Sequence, residues 1–450
     1  MRMPSHCPTR PQRKLSMPHC SGRGILLAGD LASLAGDESL FAATATEKLE
    51  RLQAELQPLA ERYDVVVANP PYMGSSSLGK WNGKWIKDNF PEAYRDLCTS
   101  FIDRGFSLSN NQGYSAMVTM QSWMFLGSYE KLRGKLLRNH TISSMAHLGT
   151  RAFGAIGGEV VSTTATVFAN KKYDVPGTYL RLVDMGSEQE KAAGALEALA
   201  NPNCGWFYRR KADVFSVIPG SPIAYWASAS INKAFINGER LGNIGRTSKG
   251  LITGDNSSFL RLWWECGLRN SLFYGQSFEE TLDPSYKWFA CTKGGPFRRW
   301  SGNIEWLIDW SGNGRTVRDA ALRDGHHSQD YADELKFKPS ITWSAISSDL
   351  PSFRMARGKL SEHAGMCDFL PESKLDYVLS FINSSIAKEI LKMIAPTLNF
   401  NAGDIDSLPL LFKQSCAADI SSLATKCVQL SNDDWNASET SWDFMKHPLV

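Results

Sequence analysis

No stretch of this chain approaches the roughly 20 consecutive apolar residues that a membrane span requires. The longest apolar runs, such as Val65-Val66-Val67-Ala68 and Leu408 to Phe412, fall far short, so a soluble protein with no membrane partner is expected. Nine cysteines are scattered, odd in number and never spaced Cys-x-x-Cys, and no secretory segment precedes them. That excludes a disulfide scaffold and suits a reducing cytoplasm. His6-Cys7 and His19-Cys20 match no zinc spacing, so no metal is expected. Charge is nearly balanced: 49 Lys+Arg against 46 Asp+Glu leave +3. Such a total neither demands nor excludes a polyanionic partner, and any argument for one must be local. Acidic residues are missing altogether from Met1 to Gly29, where Arg2, Arg10, Arg13, Lys14 and Arg23 alternate with four prolines. Residues 1–24 therefore read as an unstructured basic leader.

What is present is globular material, with 43% hydrophobic and 21% charged residues over 450 positions, enough for two or three domains. After a short apolar strand, Ile25-Leu26-Leu27-Ala28, comes a helical stretch from Thr46 to Arg62 with Leu49, Leu52, Leu56 and Leu59 on one stripe. The triple valine of Asp64 to Ala68 follows, a strand expected to be buried on both faces of a parallel sheet. Helices at 97–108 and 128–138 alternate with strands at 113–119, 142–148 and 160–169. The alternation predicts an α/β domain over 25–170. Lys171 to Gly177 reads as a linker, and 171–200 as linker plus helix. From 201 to 450 the chain is rich in Gly, Trp, Ser and short apolar runs, a second domain of mixed α+β character.

Asn69-Pro70-Pro71-Tyr72 stands where the triple-valine strand ends, the place where open α/β sheets bind ligands. Its chemistry suits the exocyclic amine of adenine, a poor nucleophile because its lone pair is delocalised into the ring. The Asn69 side-chain oxygen and the Pro70 carbonyl could accept both amine hydrogens and shift that nitrogen toward a tetrahedral form. Pro70 and Pro71 fix φ and donate no competing N–H. Tyr72 offers a flat face to a base that has left the duplex, recovering about 1–3 kcal/mol of stacking. An ordinary Asn-Pro turn is the alternative.

The segment Asp64 to Asn170 resembles the catalytic region of amino-type (N6-adenine) DNA methyltransferases, of which Asn-Pro-Pro-Tyr is the signature. From about Ile25 to Leu410 the chain resembles the large adenine methyltransferases of bacteriophage-exclusion systems, relatives of the fused type II restriction-modification methylases. Gly113 to Met120, ending in Gln121-Ser122-Trp123, is similar to the family's strand after the catalytic loop. Leu148-Gly149-Thr150-Arg151-Ala152-Phe153 is similar to the motif whose aromatic packs on the flipped base, which makes Phe153 the candidate. Between them, Ser75 to Lys87 mixes cations with Trp81 and Trp85. Asn82-Gly83 argues for a loop, read as a mobile segment that orders over DNA through Lys80 and Lys84.

The resemblance implies S-adenosylmethionine (AdoMet) as cofactor, double-stranded DNA as substrate, and other proteins of the exclusion system as partners. Gly29-Asp30 resembles the strand end that reads the adenine of AdoMet, so Asp30 is the cofactor candidate. The only Gly-x-Gly before Asn69 is Gly22-Arg23-Gly24, which follows no apolar strand. The expectation is thus a partial Rossmann-like methyltransferase sheet, lacking half the cofactor pocket, followed by a target-recognition domain. In that second domain Phe215 to Pro222, Gly250 to Asn256, Lys336 to Ser348 and Pro396 to Ile405 resemble family stretches. So does Lys293 to Trp300, where Lys293, Arg298 and Arg299 beside glycines form a cationic loop suited to phosphate or guanine. Asp330 with Glu334-Leu335-Lys336 has the residue types of a nuclease site but no pattern placing them on adjacent strands. The rival to an active methyltransferase is a DNA-binding or assembly module without catalysis.

Overall fold

A computed structural model describes residues 40–153, 161–347, 351–395 and 399–447. The described residues form two compact units, one within 40–121 and 134–211, the other within 122–133 and 212–447.

The first unit is built on a six-stranded sheet in the order β1-β2-β4-β3-β5-β6. Its strands are β1 (Tyr63–Ala68), β2 (Ser109–Met120), β3 (Thr141–Gly149), β4 (Thr163–Ala169), β5 (Gly177–Arg181) and β6 (Phe207–Arg210). β1 runs parallel to β2, and β4 lies antiparallel between β2 and β3. The stretch expected as linker plus helix supplies β5 as well, parallel to β3, and helix α5 (Glu188–Ala200). The helices before it are α1 (Leu40–Ala60), α2 (Lys80–Asn89), α3 (Leu97–Leu108) and α4 (Glu130–Asn139).

Helix α3 shows how sequence becomes packing here. Asp96 caps it, its carboxylate accepting the Cys98 N–H at 2.9 Å. Cys98, Ile102 and Phe106 follow at helical spacing and are buried. Gly105 lets the helix lie against β2, because a Cβ there would meet Met117 Cε at 2.7 Å and the Ser115 hydroxyl. α3 therefore covers the Ser115 and Met117 face of the sheet.

Among the described residues the opposite face is uncovered, and one expectation fails on it. Val65 and Val67 of the triple-valine strand are 56% and 74% exposed rather than buried. β1 is an edge strand with β2 as its one partner among the described residues, so it lacks the second neighbour and covering layer that would bury it. The leucine stripe of α1 is likewise exposed at Leu52, Leu56 and Leu59. Val67, Ala116, Val118, Ala146, Ala165 and Val167 line an open apolar depression of about 370 Å³ on this face.

The second unit carries a four-stranded antiparallel sheet in the order β9-β8-β10-β7, of β7 (Arg246–Ser248), β8 (Ser340–Ser344), β9 (Phe353–Ala356) and β10 (Gly365–Phe369). Leu241, Trp343, Phe353, Val378 and Ile390 share one buried core, joining this sheet to helices α6 (Glu372–Ile382) and α7 (Ser385–Ile394). Ala417, Ile420 and Val428 of the long helix α8 (Gln414–Asn436) pack on the same core. A second cluster around Phe289, Ile308, Trp310 and Leu360 packs on a five-stranded mixed sheet. Arg133 is buried in this unit. It donates to the Gly220 carbonyl at 2.9 and 2.6 Å and to the carbonyls of Trp123 and Leu126 at 2.9 and 2.7 Å. Those contacts attach residues 122–133 to the second unit.

Candidate catalytic loop and nucleic-acid interface

β1 ends at Ala68 and delivers Asn69-Pro70-Pro71-Tyr72 onto the surface. Asn69 and Pro71 are exposed, Tyr72 is half-buried and Pro70 is buried. The Tyr72 hydroxyl donates to Asn69 Oδ1 at 3.2 Å. Burial, and secondarily the neighbouring Cys98 thiol, raise the Tyr72 phenol, so it stays protonated and a donor. Burial and Asp96 push the Cys98 thiol itself well above its ordinary range, so it is an unreactive packing residue.

The loop is then clipped to the start of α3. Met73 N–H donates to Asp96 Oδ1 at 3.3 Å, and the Met73 carbonyl accepts from Leu97 N–H at 2.9 Å. Ser75 N–H donates to the Arg95 carbonyl at 2.9 Å. Asp96 thus caps the helix and anchors the loop, a role that sequence reasoning missed. Its one signal is a helix-capping Asp before the apolar stripe of α3.

The segment after the loop is not the loop that Asn82-Gly83 suggested. A 3-10 turn at Ser75–Ser77 leads into helix α2. Gly83 N–H donates to the Gly79 carbonyl at 2.9 Å, and Lys84 pairs with Asp88 at 2.7 Å one turn on. These contacts outweigh the cost of one helical glycine, about 1 kcal/mol. Lys80 and Lys84 are exposed, and Trp81 beside them is 76% exposed.

Phe153 is half-buried beyond the end of β3, after left-handed Gly149 (φ 66) and Arg151 (φ 57). Among the described residues no hydrogen bond or ring contact joins it to residues 69–72. Asp30 lies outside the described residues, as does Pro396 of the last family-like stretch.

Lys293, Arg298 and Arg299 share a loop of the second unit but face different partners. Lys293 Nζ lies 3.9 Å from the Trp306 ring centroid. Arg298 turns inward: it donates to the Ser301 and Ser431 carbonyls at 3.1 Å each, pairs with Asp434 at 2.5 Å and lies over Trp435. Arg299 lies over Phe297, its guanidinium 5.3 Å from the ring centroid. The nuclease-like set does not assemble. Lys336 is fully buried between Asp330 and Asp333, while Glu334 pairs with Arg246 at 3.0 Å.

No cluster of three or more metal-ligating side chains occurs among the described residues. Nor do those residues compose an AdoMet pocket. β1 is followed by the Asn69 to Tyr72 loop, no described strand precedes it, and its Val65 and Val67 side chains stand exposed. The glycine turn and carboxylate that such a cofactor requires are not among them.

Comparison with known proteins sets this geometry in context. Residues 33–153 match the Eco57I restriction-modification methylase family. The chain is 37% identical over 398 residues to adenine-specific methyltransferase PglX of Lacticaseibacillus casei, covering 87% of this chain and 33% of that protein. It is 38% identical over 400 residues to adenine-specific methyltransferase BrxX of Escherichia coli, covering 87% of this chain and 31% of BrxX. The chain thus spans about a third of the length of these relatives. Among solved structures, the type IIL restriction-modification enzyme MmeI in complex with DNA aligns with a TM-score of 0.52 at 11% identity. That alignment covers 84% of this chain and 50% of MmeI. The likeness is one of fold, in accord with the mixed α/β architecture described above.

Proposed function

Because this chain belongs to the family of restriction-modification methylases that includes PglX and BrxX, we propose that it serves N6-adenine methylation of duplex DNA in a phage-defence or restriction-modification system. The observation that carries the reading is the exposed Asn69-Pro70-Pro71-Tyr72 loop at the end of a parallel strand, clipped in place by Asp96. Asn69 Oδ1 has two lone pairs. One accepts the Tyr72 hydroxyl and the other is free for an amine hydrogen of adenine, with the Pro70 carbonyl taking the second. Tyr72 supports the extruded base from one side, and Phe153 supplies the second aromatic. Lys80 and Lys84 on α2, with Lys293 and Arg299 on the second unit, meet DNA phosphates. AdoMet is the methyl donor of such a reaction, and Asp30 is the residue of this chain assigned to it. In living cells the reading places the protein in the cytoplasm, working with other components of an exclusion system.

A second reading has its own support. The exposed Val65 and Val67 of β1 suit a DNA-binding or assembly module that does not itself catalyse. Asn69→Ala tests the first. Measured in a longer protein that carries this chain together with an AdoMet site, the variant is expected to lose adenine methylation while DNA affinity stays within about twofold, because a hydrogen-bond acceptor for the amine is removed and no phosphate contact is touched. Methylation within tenfold of the parent overturns the assignment.

A further inference from the structure

We propose that Phe297 is a wedge that enters between stacked bases of duplex DNA, with Arg299 and Lys388 on the flanking phosphates. The inference rests on reading the second unit as DNA-binding.

Phe297 is 59% exposed at the tip of the loop 294–303. Nothing about the loop is slack. Gly295 N–H donates to Ser344 Oγ at 3.0 Å and Arg298 N–H to Ser352 Oγ at 3.1 Å. Trp300 N–H donates to the Phe353 carbonyl at 2.8 Å, and Asn303 Nδ2 to the Pro296 carbonyl at 2.8 Å. From behind, Arg298 ties the loop to Asp434, Ser431 and Trp435 of α8, and Ser431 Oγ donates to the Arg299 and Ser301 carbonyls at 3.0 Å. Trp300 (φ 70), Gly302 (φ 104) and Asn303 (φ 56) are all left-handed. For Trp300 that conformation is costly, and strain of this kind persists where surrounding structure enforces it, often at functional sites. The loop is thus braced to keep a large apolar side chain in water, the reverse of what burial favours.

The surroundings of the ring indicate the ligand. Arg299 Cζ lies 5.3 Å and Lys388 Nζ 5.7 Å from its centroid. Among the described residues neither cation has an ion-pair partner, and Arg299 Nε is a buried donor without a hydrogen bond. An apolar edge between two unneutralised cations matches a polyanion with charge outside and a stacked apolar interior. Duplex DNA has both, and Phe is among the residues that proteins insert at a base step. An acidic peptide offers the charge without the slot. Arg298 is a positioning residue here.

The test uses the full chain and fluorescence anisotropy on two duplexes of one sequence, intact or carrying a single-base bulge that opens a step. The parent is expected to favour the bulged duplex. Phe297→Ala is expected to weaken binding to it about tenfold and erase the preference, and Phe297→Trp to restore both. Arg299→Gln with Lys388→Gln should lower the slope of log affinity against log salt by about 1.8, at about 0.9 per phosphate contact. Thermal unfolding within a degree or two of the parent confirms that the variants fold. If Phe297→Ala keeps the parent's affinity and preference, the wedge is wrong while DNA binding by the second unit stands. If the parent binds neither duplex at low salt, the DNA-binding reading falls and the wedge falls with it.

Discussion

The hydroxyl of Tyr72 donates to Oδ1 of Asn69 at 3.2 Å, so the residue offered as a platform for the base also orients the residue offered to its amine. The loop needs this help because Asn69 is exposed, and an exposed amide otherwise samples several rotamers.

Two substitutions separate the two roles. Tyr72→Phe keeps the ring and removes one hydrogen bond, worth about 0.5–1.5 kcal/mol, so methylation is expected to fall between about twofold and tenfold. Tyr72→Ala also removes stacking, about 1–3 kcal/mol, and should cost at least a further fivefold. Steady-state methylation of an adenine-containing duplex, by a longer protein that carries this chain together with an AdoMet site, measures both. Equal losses in the two variants would show that the ring contributes nothing.

Asp368 links stability to pH. It is 2% exposed, and its Oδ1 has no hydrogen-bond partner. Burial first, and the neighbouring Asp406 second, push its carboxyl up to about 7. The folded value is above the unfolded one, about 3.9, so the folded state holds the proton more tightly. The stability associated with this group is therefore complete below about pH 4 and is lost as pH rises through 7, by about 4 kcal/mol at most. Asp368→Asn should be more stable than the parent at pH 8 and nearly equal to it at pH 4. Urea unfolding at both pH values checks this, and parallel pH dependences would refute it.

Cofactor binding is the sharpest test of what the described residues can hold. The described residues include no glycine turn for AdoMet, and one or two hydrogen bonds of about 0.5–1.5 kcal/mol each fall far short of the about 8 kcal/mol that micromolar affinity needs. The 450-residue chain is therefore expected to show no measurable AdoMet binding by calorimetric titration. A micromolar dissociation constant would mean that residues outside the described set build the site.

Much of the first unit was legible because its signals are local. The apolar stripe behind Asp96 specifies α3, alternation specifies β2, and Asn-Pro-Pro-Tyr after three valines marks the loop. Those patterns depend only on chain periodicity and residue chemistry. Sequence also placed three cations in one glycine-rich loop. It could not tell that Arg298 faces Asp434 while Arg299 faces Phe297, because the partner that decides lies more than a hundred positions away on α8. The same holds for Val65 and Val67. A run of valines states that a strand prefers burial, but whether it is buried depends on its neighbours in the sheet, and among the described residues β1 has one. In α2 the local turn signal Asn82-Gly83 lost to hydrogen bonds that form once the helix is nucleated, Gly83 to Gly79 and Lys84 to Asp88. Sequence by itself determined most elements of the first unit and the residue chemistry of the Asn69 to Tyr72 loop. Tertiary structure decided which side chains are free to meet a ligand, because freedom is a matter of what else each one touches.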